Sequence, residues 1–170
     1  MVKHQKNNRG FTLIEMIIYI AIIGVIISGF VSYSLSLSSV RSKNHSMVAV
    51  QANGRVALEV ITEKVHGAQA ILTPVAGVSS NQLILDMPGA NPDITFLVTD
   101  GVLTMQETGS SAVVITDNLT SVSNLLFTNL AASGERSNVQ VEITLGYNVT
   151  ANNVEFGYSK SYRTAVSPRL

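Results

Sequence analysis

A long apolar run close to the N-terminus constrains this chain more than any other feature. Residues 11–31 read FTLIEMIIYIAIIGVIISGFV, and Glu15 is the one charged residue among these 21. At about 1.5 Å of rise per residue, a helix of this length covers the ~30 Å hydrocarbon core of a bilayer. The run therefore predicts a membrane-spanning helix.

Basic residues precede this run and predict its orientation. Lys3, Lys6 and Arg9 lie before it without any acid, so the positive-inside rule places residues 1–10 in the cytoplasm and the chain after residue 31 outside the membrane. A secretory signal peptide shares the basic start, but its apolar region is about 7–15 residues long. A plain single-pass anchor is the other alternative.

Glu15 interrupts the apolar pattern near its start. A carboxylate at the bilayer centre costs roughly 2.5–3.5 kcal/mol on insertion scales, and less near an interface. Two interpretations follow. Either Glu15 lies at a shallow depth and stays hydrated, or it pairs with a cationic group in an assembled state.

The string RGFTLIE at residues 9–15 resembles the class III signal of type IV prepilins and type II secretion pseudopilins. The resemblance extends over about residues 3–35. It implies that prepilin peptidase, a membrane-embedded aspartyl enzyme, cleaves after Gly10 and N-methylates Phe11. It further implies that Glu15 acts in assembly. The implied partners are this peptidase and methyltransferase, other pilin or pseudopilin subunits, the inner-membrane assembly platform, and the membrane itself before assembly.

Beyond the apolar run, the spacing of hydrophobic residues predicts an amphipathic helix. Apolar residues recur at intervals of three and four, which is the helical period; they are Leu58, Ile61, Val65, Ala68 and Leu72. The same register continues backward through Met47, Gln51 and Gly54 and is weaker there. Gly67 is one candidate for the end of the helix, and Pro74 stops any continuation. The alternative is a separate helix that follows a serine-rich joint at residues 32–39.

After Pro74 the pattern changes to alternation, which indicates strands. The Asp100-Gly101 pair predicts a tight hairpin turn, because both residues tolerate positive φ angles. The predicted strands are residues 82–86, 93–98, 102–107, 112–116, 125–130, 139–145 and 158–166.

A helix followed by strands predicts an α+β fold. The resemblance implies the pilin-like lollipop, in which a long N-terminal helix packs on an antiparallel sheet. The predicted segments are a leader at 1–10, a transmembrane half-helix at 11–31, an amphipathic half-helix at 32–72 and a β-rich domain at 73–170. The strings at 57–70 and 162–169 also resemble minor subunits of the J or W type.

The soluble part carries no recognisable catalytic set, and no cofactor or metal site is predicted. His45 and His66 lie too far apart on the predicted helix to share a metal. The acids at positions 86, 93, 100 and 117 fall in or near turns, where Asp forms turns more often than a Ca²⁺ loop. The chain lacks cysteine, and its 11 basic and 11 acidic residues balance. No nucleic-acid partner is therefore predicted for the isolated subunit.

These observations predict a structural protein and not an enzyme. The expected function is that of a minor subunit of a type IV pilus or a type II secretion pseudopilus. The chain would first span the inner membrane once and then enter a periplasmic or cell-surface filament. The alternative is a minor pilin at the filament tip that acts in binding, adhesion or DNA uptake.

Overall fold

The computed structural model describes residues 11–90, 92–132, 137–148 and 157–169. Within them one helix is followed by nine strands, which confirms the predicted α+β class. The chain divides into two compact units, Met1–Arg41 and Ser42–Leu170. The elements are α1 Leu13–Gly67, β1 Ala70–Thr73, β2 Ser79–Ser80, β3 Leu83–Asp86, β4 Ile94–Thr99, β5 Val102–Glu107, β6 Val113–Val114, β7 Thr120–Asn129, β8 Val139–Tyr147 and β9 Ser159–Val166.

Helix α1 runs without a break through the serine-rich stretch at residues 32–39. The serine hydroxyls bond within the helix: Ser32 Oγ donates to Ser28 O and Ser39 Oγ to Ser36 O, each at 2.9 Å. Because these hydroxyls are satisfied by carbonyls of the preceding turn, they do not interrupt the helix. The alternative of a separate helix after this stretch is therefore wrong.

The buried face of α1 differs from the predicted stripe in its first half. Ile61, Val65 and Ala68 are fully buried, as predicted. Gly54 is also buried, as predicted. Further back, Met47 and Gln51 are exposed, and the neighbouring Ser46 and Val50 are buried instead. Asn53 and Ala57 complete the buried face. The error arose because Ser46 and Asn53 are polar and do not register as core positions in a hydrophobic pattern.

Of the two helix ends that the sequence allowed, the structure has the one at Gly67 and not the one at residue 72. Helix α1 ends at Gly67, and the chain then enters β1. Ala68 N–H donates to Val65 O at 3.2 Å, which tightens the last turn, and Gln69 N–H donates to Asp86 O at 2.8 Å. Leu72 therefore lies on a strand and is 45% exposed. Pairing with β3 takes over before Pro74 is reached.

The strands form two antiparallel sheets rather than the single sheet predicted. One has the order β1-β3-β4-β5-β6, and the other has the order β2-β7-β8-β9. The predicted Asp-Gly turn joins β4 to β5, with φ of 51° at Asp100 and 76° at Gly101. The sheets meet where Val122 N–H donates to Gly101 O at 2.7 Å.

The core lies between α1 and the inner faces of both sheets. Phe96 of the first sheet and Phe127 of the second are its largest fully buried side chains. Two buried asparagines hold connecting segments against it. Asn53 Oδ1 accepts from Asp117 N–H at 2.9 Å, and Asn129 Nδ2 donates to Pro74 O at 2.9 Å. Each bond ties an irregular segment to a regular element.

Candidate processing and assembly site

The predicted site lies where α1 begins. Phe11 and Thr12 precede the helix, which starts at Leu13. Gly10, the predicted cleavage residue, lies outside the described residues, as does the rest of the predicted leader. The structure therefore describes the site from Phe11 onward.

Thr12 caps the helix. Glu15 N–H donates to Thr12 Oγ1 at 3.4 Å, and Met16 N–H donates to Thr12 O at 3.2 Å. These are the contacts of an N-cap residue, and Thr12-x-x-Glu15 has the spacing of a capping box. The Thr12-x-x-Glu15 spacing is the sequence signal for this cap, which was not among the predictions. The cap fixes the helix start two residues after Phe11.

The start of the helix determines where Glu15 lies. It is an acidic residue in the first turn of α1 and is half-buried. An acid in the first turn is favoured by the partial positive charge of the helix N-terminus. Glu15 therefore lies four residues after Phe11, in the turn where this partial charge is concentrated.

Phe11 is 72% exposed. Its ring contacts the Tyr19 ring edge-on, with centroids 6.1 Å apart and an interplanar angle of 70°. Such an edge-to-face pair is a favourable aromatic arrangement. This contact orients the residue that would become the new N-terminus.

The apolar side chains of the N-terminal half of α1 surround the helix on every side. From Leu13 to Val40 the large hydrophobic side chains are exposed, and no residue in the most apolar window is buried. A helix that packs on a soluble core exposes a polar face instead. By length and composition α1 is able to cross a membrane.

Glycine and serine residues within this stretch leave the surface of α1 unobstructed by large side chains at those positions. An added Cβ at Gly24 or Gly29 would meet nothing within 4 Å. The Ser28 hydroxyl donates to the carbonyls of Gly24 and Val25. Its hydrogen-bonding capacity is therefore met within the helix, as an apolar surrounding requires.

Comparison with known proteins gives a match at this position. Residues 5–31 match the family model of the prokaryotic N-terminal methylation motif. The chain carries the class III signal of type IV pilins and pseudopilins. The motif indicates a pilin-like or pseudopilin-like protein and suggests a structural role. It covers 27 of the 170 residues.

The resemblance seen in the sequence is thereby confirmed for the motif. In pilin-like proteins it implies processing by prepilin peptidase and assembly with other pilin subunits. Together with the apolar helix, it is consistent with membrane anchoring. No curated protein and no solved structure matches the pilin-like chain.

The other residues considered from the sequence belong to the unit Ser42–Leu170. His45 contacts the Tyr147 ring edge-on at 6.2 Å between centroids, and His66 O accepts from Arg169 N–H at 3.3 Å. Asp117 Oδ1 accepts from Leu119 N–H at 3.0 Å, which is a turn-forming bond. Within the described ranges no three His, Asp or Glu residues are grouped as metal ligands.

Proposed function

We propose that this chain is a minor structural subunit of a type IV pilus or a type II secretion pseudopilus. Prepilin peptidase cleaves after Gly10 and methylates the amine of Phe11. The chain spans the inner membrane through residues 11–31, with its leader in the cytoplasm, and then enters a periplasmic or cell-surface filament through the N-terminal half of α1.

One observation carries the proposal. The methylation motif is followed directly by a helix whose apolar side chains are exposed on all sides from Leu13 to Val40. Such a surface needs an apolar surrounding, which lipid supplies before assembly and packed helices supply after it. The same surface serves both states, so extraction from the membrane need not expose it to water.

Glu15 is proposed to direct assembly. Cleavage places a positive amine on Phe11, and a neighbouring subunit shifted along the filament offers that amine to Glu15. Two opposite charges in a dry environment stabilise each other, whereas one alone is costly. Pairing between subunits therefore favours a fixed axial offset.

The experiment combines processing and incorporation in a host with an active filament machinery. Intact mass of the membrane-extracted chain is expected to show a start at Phe11 plus one methyl group. Gly10→Val is expected to block cleavage, because a branched side chain obstructs an extended backbone in the protease cleft. A Met1 start in the parent chain contradicts the processing proposal.

Glu15→Leu tests assembly, with Ile18→Leu as the matched control in the same helix. Since Glu15→Leu removes a charge from an apolar span, its membrane level is expected to equal or exceed that of the parent. Its level in sheared filaments is expected to fall, whereas Ile18→Leu is expected to leave both unchanged. Normal incorporation of Glu15→Leu removes the assembly role. Loss from the membrane fraction points instead to insertion.

A further inference from the structure

One edge of strand β9 has no strand partner in the part of the chain that the structure describes. Strand β9 is the outer strand of the sheet β2-β7-β8-β9 and pairs only with β8 among the described strands. We propose that this edge binds an extended segment of a partner protein as an added strand, and that the segment carries an acidic residue and a basic residue four positions apart. The inference concerns the unit Ser42–Leu170 and goes beyond the proposed function.

The hydrogen-bonding pattern identifies which backbone groups of β9 are open. Tyr147 N–H donates to Tyr158 O at 2.8 Å, so the odd-numbered residues of β8 face β9. The register pairs Ile143 with Tyr162. By alternation, the residues of β9 that bond β8 are Lys160, Tyr162 and Thr164. Those that direct N–H and C=O to the open edge are Ser161, Arg163 and Ala165.

Two cavities lie between β9 and α1, and an added strand would have its inward side chains beside them. The Lys160 cavity, of about 340 Å³, is lined by Val48, Gln51, Ala52, Arg55, Lys160 and Tyr162. The Thr164 cavity, of about 630 Å³, is lined by Arg55, Leu58, Glu59, Thr62, Glu63, His66, Tyr162 and Thr164. Tyr162 and Arg55 are common to both.

The spacing of the cavities matches strand geometry. Lys160 and Thr164 are four residues apart on one strand, which corresponds to about 13 Å at ~3.3 Å per residue. Side chains on one face of a strand repeat every second residue. Positions i and i+4 of an added strand therefore lie level with the two cavities, and position i+2 lies level with Tyr162.

The charges differ between the cavities and specify the segment. The Lys160 cavity has Arg55 and Lys160 as its charged residues and favours an acidic side chain. The Thr164 cavity adds Glu59, Glu63 and His66 to the shared Arg55, and its two carboxylates favour a basic side chain. Since the cavities share Arg55, their charges differ through Lys160 at one end of the strand and through Glu59 and Glu63 at the other. A strand parallel to β9 satisfies both cavities when its acid precedes its base by four positions, and an antiparallel strand does so when the base comes first.

One further feature favours a strand from another protein over a second copy of this chain. A second copy of β9 fits poorly, because this strand carries Lys160 and Arg163 and no acid. Like charges on paired strands are destabilising.

The test measures binding of a synthetic peptide to the full-length chain in detergent micelles. The probe is acetyl-TVEVTVKVT-amide, and its matched control has Gln in place of both charged residues. We expect the control to bind at least about tenfold more weakly, because it lacks both charge pairs. Ala165→Pro removes an outward N–H without touching the β8 ladder and is expected to abolish binding. Ala165→Thr, which keeps this N–H, is expected to retain it.

Amide hydrogen exchange gives a backbone readout of the same complex. On adding the peptide, protection is expected to rise at Ser161, Arg163 and Ala165 and to stay unchanged at Tyr162. If Ala165→Pro unfolds, Lys160→Glu provides a second test: it is expected to weaken the Glu/Lys peptide and to favour a peptide with Lys at both positions. The parent chain carrying Glu15→Leu is expected to bind normally, which separates this site from assembly.

Three results overturn the proposal. The first is equal affinity for the charged peptide and its Gln control. The second is exchange protection that does not alternate along β9. The third is occupation of the edge by a second copy, seen as concentration-dependent dimers of the full-length chain that Ala165→Pro dissociates.

Discussion

Gly54 lies directly beneath the Tyr162 ring. A Cβ built on Gly54 would be 2.7 Å from Cζ of that ring, which is closer than real atoms approach without displacement. The absence of a side chain in the middle of a helix therefore has a tertiary cause. It lets an aromatic residue of β9 pack on the backbone of α1.

Gly54→Ala is predicted to destabilise the fold even though Ala favours helices by about 1 kcal/mol over Gly. Overpacking of this kind costs about 1–3 kcal/mol, so the net effect is a lower unfolding temperature. In a Tyr162→Ala background the clash is gone, and Gly54→Ala is predicted to be stabilising. Thermal unfolding of the four chains by circular dichroism measures both signs. The same sign in both backgrounds contradicts the contact.

Tyr162 is predicted to make stability depend on alkaline pH. Its burial raises the pKa above 10.0, the charge of Tyr158 raises it further, and Arg55 lowers it. A raised pKa means that the folded state holds its proton more tightly than the unfolded state. The contribution is fully present below the unfolded pKa of about 10 and is lost as pH rises through the folded pKa.

Tyr162→Phe tests this dependence. Near neutral pH the variant is expected to be as stable as the parent or more so, because it removes a buried hydroxyl that has no partner among the described residues. As pH rises above about 10, the ordinary value for Tyr, the parent is expected to lose more stability than the variant. If both chains lose the same stability as pH rises, Tyr162 is not the cause.

Among the elements, α1 belongs to the core only through its second half. Ile61 is fully buried there, whereas Val56, less than two turns away, is 45% exposed. Ile61→Ala is predicted to lower the free energy of unfolding by about 2–5 kcal/mol through lost contacts and a residual cavity. Val56→Ala, the control, is expected to change it by less than about 0.5 kcal/mol. Equal effects in thermal unfolding would show that this face is not the buried one.

At the scale of the whole molecule, the β-rich part depends on α1 for its core. Val50, Ala57, Ile61 and Val65 of the helix are fully buried. A chain that starts near Ser36 keeps all four and is predicted to fold as a soluble monomer. A chain that starts at Pro74 exposes the inner sheet faces and is predicted to aggregate, because large apolar patches associate. Size-exclusion chromatography distinguishes the two, and a stable monomer from Pro74 would contradict the shared core.

The sequence by itself determined the features that depend on neighbouring residues. The motif at residues 9–15, the apolar run, the α+β order and the Asp100-Gly101 turn were all predicted, since each follows from local charge, hydropathy or backbone preference. Strand β5 was predicted with its observed bounds, Val102–Glu107. The roles of Gly10, Phe11 and Glu15 remain proposals that the experiments above test.

Only the tertiary structure decided which polar and small residues belong to the core and how the strands pair. Asn53 is a buried helix position because its amide bonds Asp117, which is 64 residues away in sequence. Gly54 is needed because Tyr162 of β9 packs on it. The division into two sheets depends on which strands pair across the chain. Hydrophobic periodicity identifies the apolar residues that face a core. It does not identify a polar core residue, because such a residue is buried only where a distant partner satisfies its hydrogen bonds.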